Sequence, residues 1–265
     1  MTTDSSRYDP LPAVTAGSGP GLMLIHGAGG TPQLNFPFLD VLAGDRHVVA
    51  PYLPGTGPAP HESPLDADVL ADRLSASADA HQLDTFAVLG YSLGSALAVR
   101  LAARHPGRVR SLILTAGFAH ARRSLRATAA VWLALLGGDP EILAHFLASV
   151  GFAEQHLSGL SEADYQTLIT TLSAAPQPAG TPAQVDLATR IDVRGDLDRI
   201  TAPTLVIATG ADQLVAPAHS RDLATLMPNA REVTIDAGHL IADEQPDAWL
   251  HAVTTFLQSV EPAIR

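Results

Sequence analysis

The chain of 265 residues contains no cysteine and no lysine. The first absence excludes disulfide bonds, thiol nucleophiles and thiolate metal sites. The second excludes lysine Schiff bases and a lysine anchor for pyridoxal phosphate. Only 16% of the residues are charged, and the net charge is −11. Nucleic acids and anionic membranes attract clustered positive charge, so we expect neither as a partner.

Long apolar runs are missing as well. No stretch reaches the length of a membrane span, and residues 1–10 are polar rather than signal-like, which favours a cytoplasmic protein. With 46% hydrophobic residues, the chain can still bury a large core. Its length fits one domain with an inserted subdomain.

Short apolar runs alternate with helical patterns over most of the chain. Strands are predicted over residues 22–25, 47–50, 86–89, 111–115, 204–208 and 232–235, and helices over 66–81, 95–104 and 247–259. This alternation predicts an α/β protein with a mostly parallel central sheet and helices on both faces.

The strand pattern stops between residues 118 and 198. Short amphipathic or buried helices are predicted there over 132–136, 142–150 and 165–172, followed by a proline-rich, flexible or extended break over 176–182. We therefore expect a helical cap, residues 118–198, inserted into a core domain formed by residues 1–117 and 199–265.

The most informative motif is Gly90-Tyr91-Ser92-Leu93-Gly94, which lies between a predicted strand and a predicted helix. A GxSxG turn in this position exposes a serine hydroxyl, and the glycines leave room for a sharp backbone turn. An alternative is that Ser92 only caps the following helix. A base and an acid in compatible places would favour the nucleophile.

Both partners follow predicted strands in the second half of the chain. His239 comes just after the strand at 232–235, and Asp212 follows the strand at 204–208. The carboxyl ends of parallel strands open into one crevice, so Ser92, Asp212 and His239 can meet there. Their order along the chain is Ser, Asp, His.

This chain order resembles that of the α/β-hydrolase family. Four further segments carry the resemblance, and they are 26–30 (HGAGG), 54–57 (PGTG), 200–207 with 210–212 (ITAPTLVI, GAD) and 237–239 (AGH). The resemblance covers nearly the whole chain. It implies the α/β-hydrolase fold and a serine hydrolase activity.

Chemistry assigns a role to each of these residues. His239 should accept the Ser92 proton and return it to the leaving group, while Asp212 orients the imidazole. Backbone N–H groups should stabilise the oxyanion, and by position we choose those of Leu93 and Ala28, with Gly29 as the alternative. No metal and no cofactor is required.

Substrate contacts are harder to predict. The candidates are His26, Tyr91, Trp132, Phe146 and Arg122. For His26 we favour a role in organising its loop. The aromatic residues could instead hold the cap together, and Arg122 could be a solvated residue of the cap. An arginine pointing into the crevice would predict an anionic substrate, whereas an apolar lining would predict an acyl or polyketide-like one.

The leading hypothesis is a serine hydrolase that cleaves an ester, thioester or lactone of a small-molecule or carrier-bound acyl substrate through an acyl-enzyme. The same scaffold could instead carry out carbon–carbon bond hydrolysis, lyase or cyclase steps, or cofactor-free haloperoxidase or perhydrolase chemistry. A third possibility is a non-enzymatic ligand-binding member of the family.

Overall fold

The structure, a computed structural model, describes residues 8–260. Residues 1–7 and 261–265 of the predicted core domain lie outside the described residues. The strands are β1 (Ala13–Ala16), β2 (Gly21–Ile25), β3 (His47–Pro51), β4 (Phe86–Tyr91), β5 (Val109–Thr115), β6 (Thr204–Thr209) and β7 (Ala230–Ile235).

Twelve α-helices accompany these strands in the described part of the chain. They are α1 (Pro32–Asn35), α2 (Leu39–Leu42), α3 (Ala67–Ala80), α4 (Leu93–Arg104), α5 (Arg123–Leu135), α6 (Pro140–Gly151), α7 (Glu154–Gly159), α8 (Glu162–Ala174), α9 (Thr181–Arg190), α10 (Ala218–Leu226), α11 (Ile241–Glu244) and α12 (Pro246–Val260). A 3-10 helix, Arg194–Arg199, precedes β6.

The strands form one sheet in the order β1-β3-β2-β4-β5-β6-β7, in which only β1 runs antiparallel to its neighbour. The mostly parallel sheet confirms the predicted fold class. In the register, Ile25 lies opposite Gly90, Tyr91 opposite Thr115, and Thr115 opposite Ile207. The strands therefore end level with one another, and the loops that follow β2, β4, β6 and β7 open at one edge.

Both faces of the sheet are covered, as the continuous apolar strands require. Successive residues of β2 point to opposite sides, so Met23 and Ile25 join a core with α3 and α4, while Leu22 and Leu24 join a second core. Trp249 of α12, fully buried, packs in that second core.

Five helices, α5 to α9, lie between β5 and β6. The two ends of this segment meet at an isolated bridge between His120 and Asp192. The division into a core and a cap over 118–198 stays a prediction. Within the described residues, no helix is long and apolar enough to cross a membrane.

The structure differs from the prediction at several elements. The break predicted over 176–182 ends earlier, because α9 begins at Thr181, where a proline at the second position fits the first helical turn. The predictions also omit β1, α10, the short helices α1, α2 and α7, and the 3-10 helix. β1 has only four residues at the sheet edge, where a partly exposed strand gives no continuous apolar run.

Candidate active site

Ser92 lies at a sharp turn between β4 and α4. Its backbone has φ 55° and ψ −120°, a left-handed conformation that is uncommon for a residue with a side chain. The flanking glycines are needed for close packing. A Cβ on Gly90 would meet the backbone of Gly94, and one on Gly94 would meet the carbonyl oxygen of Ile25. The turn thus holds the serine hydroxyl above the ends of the strands.

The structure brings Ser92, His239 and Asp212 into one hydrogen-bonded chain. His239 Nε2 lies 3.0 Å from Ser92 Oγ, and His239 Nδ1 lies 2.7 Å from Asp212 Oδ2. A carboxylate accepts the Nδ1 proton, which leaves Nε2 free to accept the proton of the serine hydroxyl. All three side chains are buried, with Ser92 retaining 8% exposure.

The Asp212 carboxylate is held by three further donors. Oδ2 accepts a hydrogen bond from Thr209 Oγ1 at 2.8 Å, and Oδ1 accepts from the backbone N–H groups of Leu214 at 2.9 Å and Val215 at 2.7 Å. These bonds fix the rotamer of the carboxylate, so that Oδ2 points at the imidazole.

The loop that carries His239 is tied down on both sides. Tyr91 donates its hydroxyl to the carbonyl oxygen of His239 at 2.6 Å. Glu244 Oε1 accepts from the N–H groups of Gly238 at 2.9 Å and Ala153 at 3.0 Å. The second bond links the histidine loop to the segment just before α7.

The loop after β2 presents one unoccupied N–H group beside Ser92. Gly27 N–H donates to Asn35 Oδ1, Gly29 N–H to Gln184 Oε1 at 2.9 Å, and Gly30 N–H to the carbonyl oxygen of Gly27. Ala28 N–H has no hydrogen-bond partner within residues 8–260, nor has Leu93 N–H at the start of α4. Of the two donors considered for this loop, Gly29 is therefore occupied and Ala28 is available.

His26 lies behind this loop and does not line the cavity above Ser92. Its Nε2 accepts from Leu53 N–H at 2.9 Å, and its Nδ1 lies 2.8 Å from the carbonyl oxygen of Gly27. Burial lowers the pKa of His26 to about 4, although the bond to Gly27 opposes this shift. The neutral ring joins the loop after β2 to the loop after β3.

A cavity of about 190 Å³ opens above Ser92. Its walls are mostly apolar, and they include residues 27–30 and 175–178 together with Leu34, Asn35, Tyr91, Trp132, Leu147, Val150, Gly151, Leu172, Leu214, His239 and Leu240. Of the predicted substrate contacts, Tyr91 and Trp132 thus line the cavity. The indole N–H of Trp132 is buried and has no hydrogen-bond partner in the described part of the chain.

The other predicted contacts lie elsewhere. Phe146 is on α6 but does not line the cavity, although its neighbour Leu147 does. Arg122 pairs with Asp222 at 2.5 Å on the partly exposed surface. Among residues 8–260, no arginine lines this cavity. Of the two linings considered from the sequence, one with an inward arginine and one that is apolar, the structure therefore has the apolar one.

Gln184 is a residue of the site that sequence reasoning missed. Its side chain is fully buried, and its amide joins three segments, because Oε1 accepts from Gly29 N–H and Nε2 donates to the carbonyl oxygen of Pro54 at 2.9 Å. It lies 155 residues from Gly29 in sequence. An isolated glutamine on a helix carries no signal of such a contact.

A serine on a strand-turn-helix elbow, hydrogen-bonded to a histidine that is itself hydrogen-bonded to an aspartate, defines a class of serine-dependent enzymes when it lies at the edge of a parallel sheet. A family model described as the alpha/beta hydrolase fold matches residues 20–246. The chain belongs to this family, and it is a hydrolytic enzyme.

Two curated relatives are similar to this chain over most of its length. The chain is 30% identical over 246 residues to the pyrrolizixenacetamide deacetylase of Xenorhabdus hominickii, covering 92% of both chains. It is also 30% identical over 246 residues to the pimeloyl-[acyl-carrier protein] methyl ester esterase of a serogroup C strain of Neisseria meningitidis, covering 89% of this chain and 93% of that protein.

Solved structures support the fold. The crystal structure of BpoC from Mycobacterium tuberculosis H37Rv, a candidate non-heme bromoperoxidase, matches with a TM-score of 0.86 over 96% of this chain and 98% of that chain. The sequence identity is 23%, so this likeness concerns the fold alone.

Proposed function

We propose that the protein is a serine hydrolase that cleaves a carboxylic ester, thioester or lactone through an acyl-enzyme. Ser92 is the nucleophile, His239 the general base and then acid, and Asp212 the residue that orients His239. The proposal rests on one observation above all. A continuous hydrogen-bonded chain from Asp212 to Ser92 ends at the floor of an apolar cavity.

The acylation step follows from this arrangement. Ser92 Oγ attacks the carbonyl carbon and passes its proton to His239 Nε2, and the carbonyl oxygen becomes an oxyanion. When the intermediate collapses, the bond to the leaving group breaks and His239 returns the proton to that group. A water molecule then attacks the acyl-enzyme with help from the same histidine, which releases the acid and restores Ser92.

The N–H groups of Ala28 and Leu93 are the proposed oxyanion donors. Neither has a partner among residues 8–260, and Leu93 N–H lies at the positive end of helix α4. Fixed donors at the position of a developing negative charge lower the barrier without needing to reorganise.

The relatives support an acyl substrate and differ in its shape. The Neisseria protein is named for a methyl ester of a carrier-bound acid, with a small alcohol, whereas the Xenorhabdus protein is named for removing an acetyl group. The apolar cavity suits an apolar group on either side of the scissile bond. A small-molecule or carrier-bound acyl compound therefore remains the proposed substrate.

Replacing the nucleophile tests this function. We expect Ser92→Ala to lower kcat on short p-nitrophenyl esters by about 10⁴-fold or more, because removing the serine of such a triad leaves only the oxyanion donors and binding. The variant should also lose labelling by a fluorophosphonate probe. Ser149→Ala, on the exposed side of α6, is the matched control. Undiminished turnover and labelling of Ser92→Ala would exclude the proposed mechanism.

A further inference from the structure

A second, smaller cavity adjoins the first at Ser92. Its volume is about 20 Å³, and Ser92, Ala28, Trp132 and Leu214 line both cavities. Apart from Ser92, the residues that line the smaller cavity are all apolar. Two cavities of different volume therefore flank the position at which Ser92 would attack the carbonyl carbon of a substrate.

The position of the base decides which part of a substrate enters which space. The leaving group must receive its proton from His239 Nε2, so it has to lie beside His239. His239 lines the larger cavity and does not line the smaller one. Leu93 and Ala28, the proposed oxyanion donors, line the smaller cavity. Because the leaving group occupies the larger cavity, the acyl substituent has to occupy the smaller one.

The smaller cavity accepts little more than a methyl group. About 10–15 Å³ of such space holds one water molecule, and the whole cavity has about 20 Å³. Its walls include Leu125 of α5 and Val185 of α9, which are 5% and 2% exposed. Leu125 belongs to the main hydrophobic core. Packed walls of this kind do not widen freely.

We propose, on the basis of the proposed function, that the enzyme removes a short acyl group, acetyl or propionyl, from a bulky and largely apolar leaving group. For an acetate ester, the bond from Ser92 Oγ to the acetyl carbon forms and the bond from that carbon to the alcohol oxygen breaks. The serine proton passes through His239 to the alcohol. Water then converts the acetyl-enzyme to acetate and free Ser92.

Two isomeric esters test this orientation in the wild-type enzyme. 2-Phenylethyl acetate has a small acyl group and a bulky alcohol, and methyl 3-phenylpropanoate has the reverse arrangement of the same atoms. We expect kcat/KM for the acetate to exceed that for the methyl ester by at least about tenfold, since a single misplaced methylene in a tight pocket costs that much. Equal values, or a preference for the methyl ester, would overturn the proposal.

Enlarging the smaller cavity provides the second test. In the wild type, kcat/KM should fall by at least about tenfold from 2-phenylethyl acetate to 2-phenylethyl butanoate. Leu125→Ala should reduce this fall to less than about threefold, because the removed side chain makes room for the longer acyl chain. Leu172→Ala, which widens only the larger cavity, is the matched control and should keep the wild-type ratio of acetate to butanoate.

The outcomes separate this proposal from the proposed function. If a fluorophosphonate labels Ser92 and the methyl ester is preferred, the acyl assignment is wrong while the serine mechanism stands. If neither ester is hydrolysed and Ser92 is not labelled, both fail. A butanoate penalty that Leu125→Ala leaves unchanged, in a variant that still melts cooperatively, would refute the assignment of the smaller cavity.

Discussion

Replacing Gln184 by methionine would show how far helix α9 controls the proposed oxyanion loop. Methionine keeps the length and volume of the side chain but loses both hydrogen bonds of the amide. Gly29 N–H and the Pro54 carbonyl oxygen, each 2.9 Å from the amide, would lose their partners. The peptide between Ala28 and Gly29 would then be free to rotate, and the preceding peptide, which carries the Ala28 N–H, would lose one of the restraints on its direction.

The structure sets the size of the expected effects. Two buried polar groups left without partners cost about 1–3 kcal/mol each in the free energy of unfolding. For catalysis, complete loss of one oxyanion donor costs about 10²- to 10³-fold in kcat. The loop keeps its bonds at Gly27 and Gly30, so we expect part of this loss, about 10- to 100-fold.

Steady-state kinetics with an acetate ester would measure the effect on folded enzyme, with urea unfolding of each variant alongside. kcat should fall while KM changes by less than about threefold, because the oxyanion bond forms mainly in the transition state. Gln184→Glu keeps an oxygen that can accept from Gly29 N–H, although its second oxygen donates to the Pro54 carbonyl oxygen only when the carboxyl group is protonated. It should retain more activity than Gln184→Met. Gln166→Met, on the exposed face of α8, controls for the change of residue type.

One pattern of results would refute this reasoning. If Gln184→Met is destabilised but its kcat per folded molecule equals that of the wild type, then Gln184 has only a structural role. The Ala28 N–H would then keep its direction without help from α9.

Three further predictions concern catalysis and stability. Asp212→Asn should lower kcat by about 10³- to 10⁴-fold with little effect on KM, as seen in ester turnover, because the amide disturbs the His239 tautomer. Burial keeps His26 neutral and lowers its pKa to about 4. Its contribution to the free energy of unfolding is therefore complete above pH 6.5, and about 3 kcal/mol of that free energy is lost as the pH falls to 4. Urea unfolding should therefore depend less on pH in His26→Asn, and an equal dependence would contradict this. Asp72 is buried between Arg104 and its neighbour His105. Arg104 is partly exposed and would keep its pair with Asp68, so Asp72→Asn should cost about 1–3 kcal/mol. Asp68→Asn, at the half-exposed pair with the same arginine, should cost less than about 1 kcal/mol in the same unfolding assay.

The sequence predicts the parts of the site that belong to the sheet. Ser92, Asp212 and His239 each follow an apolar strand and lie within two residues of a glycine. Parallel strands that end in register have to present such residues at one edge. The pattern of apolar runs is enough for that prediction. A continuous apolar run indicates a strand of a parallel sheet that is buried on both faces, and the end of the run marks the end of the strand.

The contacts that come from the helices between β5 and β6 could not be predicted in this way. Gln184 acts through two hydrogen bonds to backbone groups that lie 155 and 130 residues away in sequence, and such bonds leave no periodic pattern. Phe146 and Leu147 are neighbours, yet only Leu147 lines the larger cavity. Successive side chains on a helix point about 100° apart. The rotation of α6 about its axis therefore decides which residue lines the cavity, and that rotation is set by packing.

The left-handed backbone of Ser92 has a consequence for the stability of the whole protein. A residue with a Cβ held at φ 55° raises the free energy of the folded state by about 1–3 kcal/mol, and glycine relieves most of this strain. Ser92→Gly should therefore melt at a higher temperature than Ser92→Ala, although both lack the proposed nucleophile. Ser92, the proposed nucleophile, thus occupies a position where selection for stability alone would favour glycine, and we expect the wild-type enzyme to be less stable than its Ser92→Gly variant.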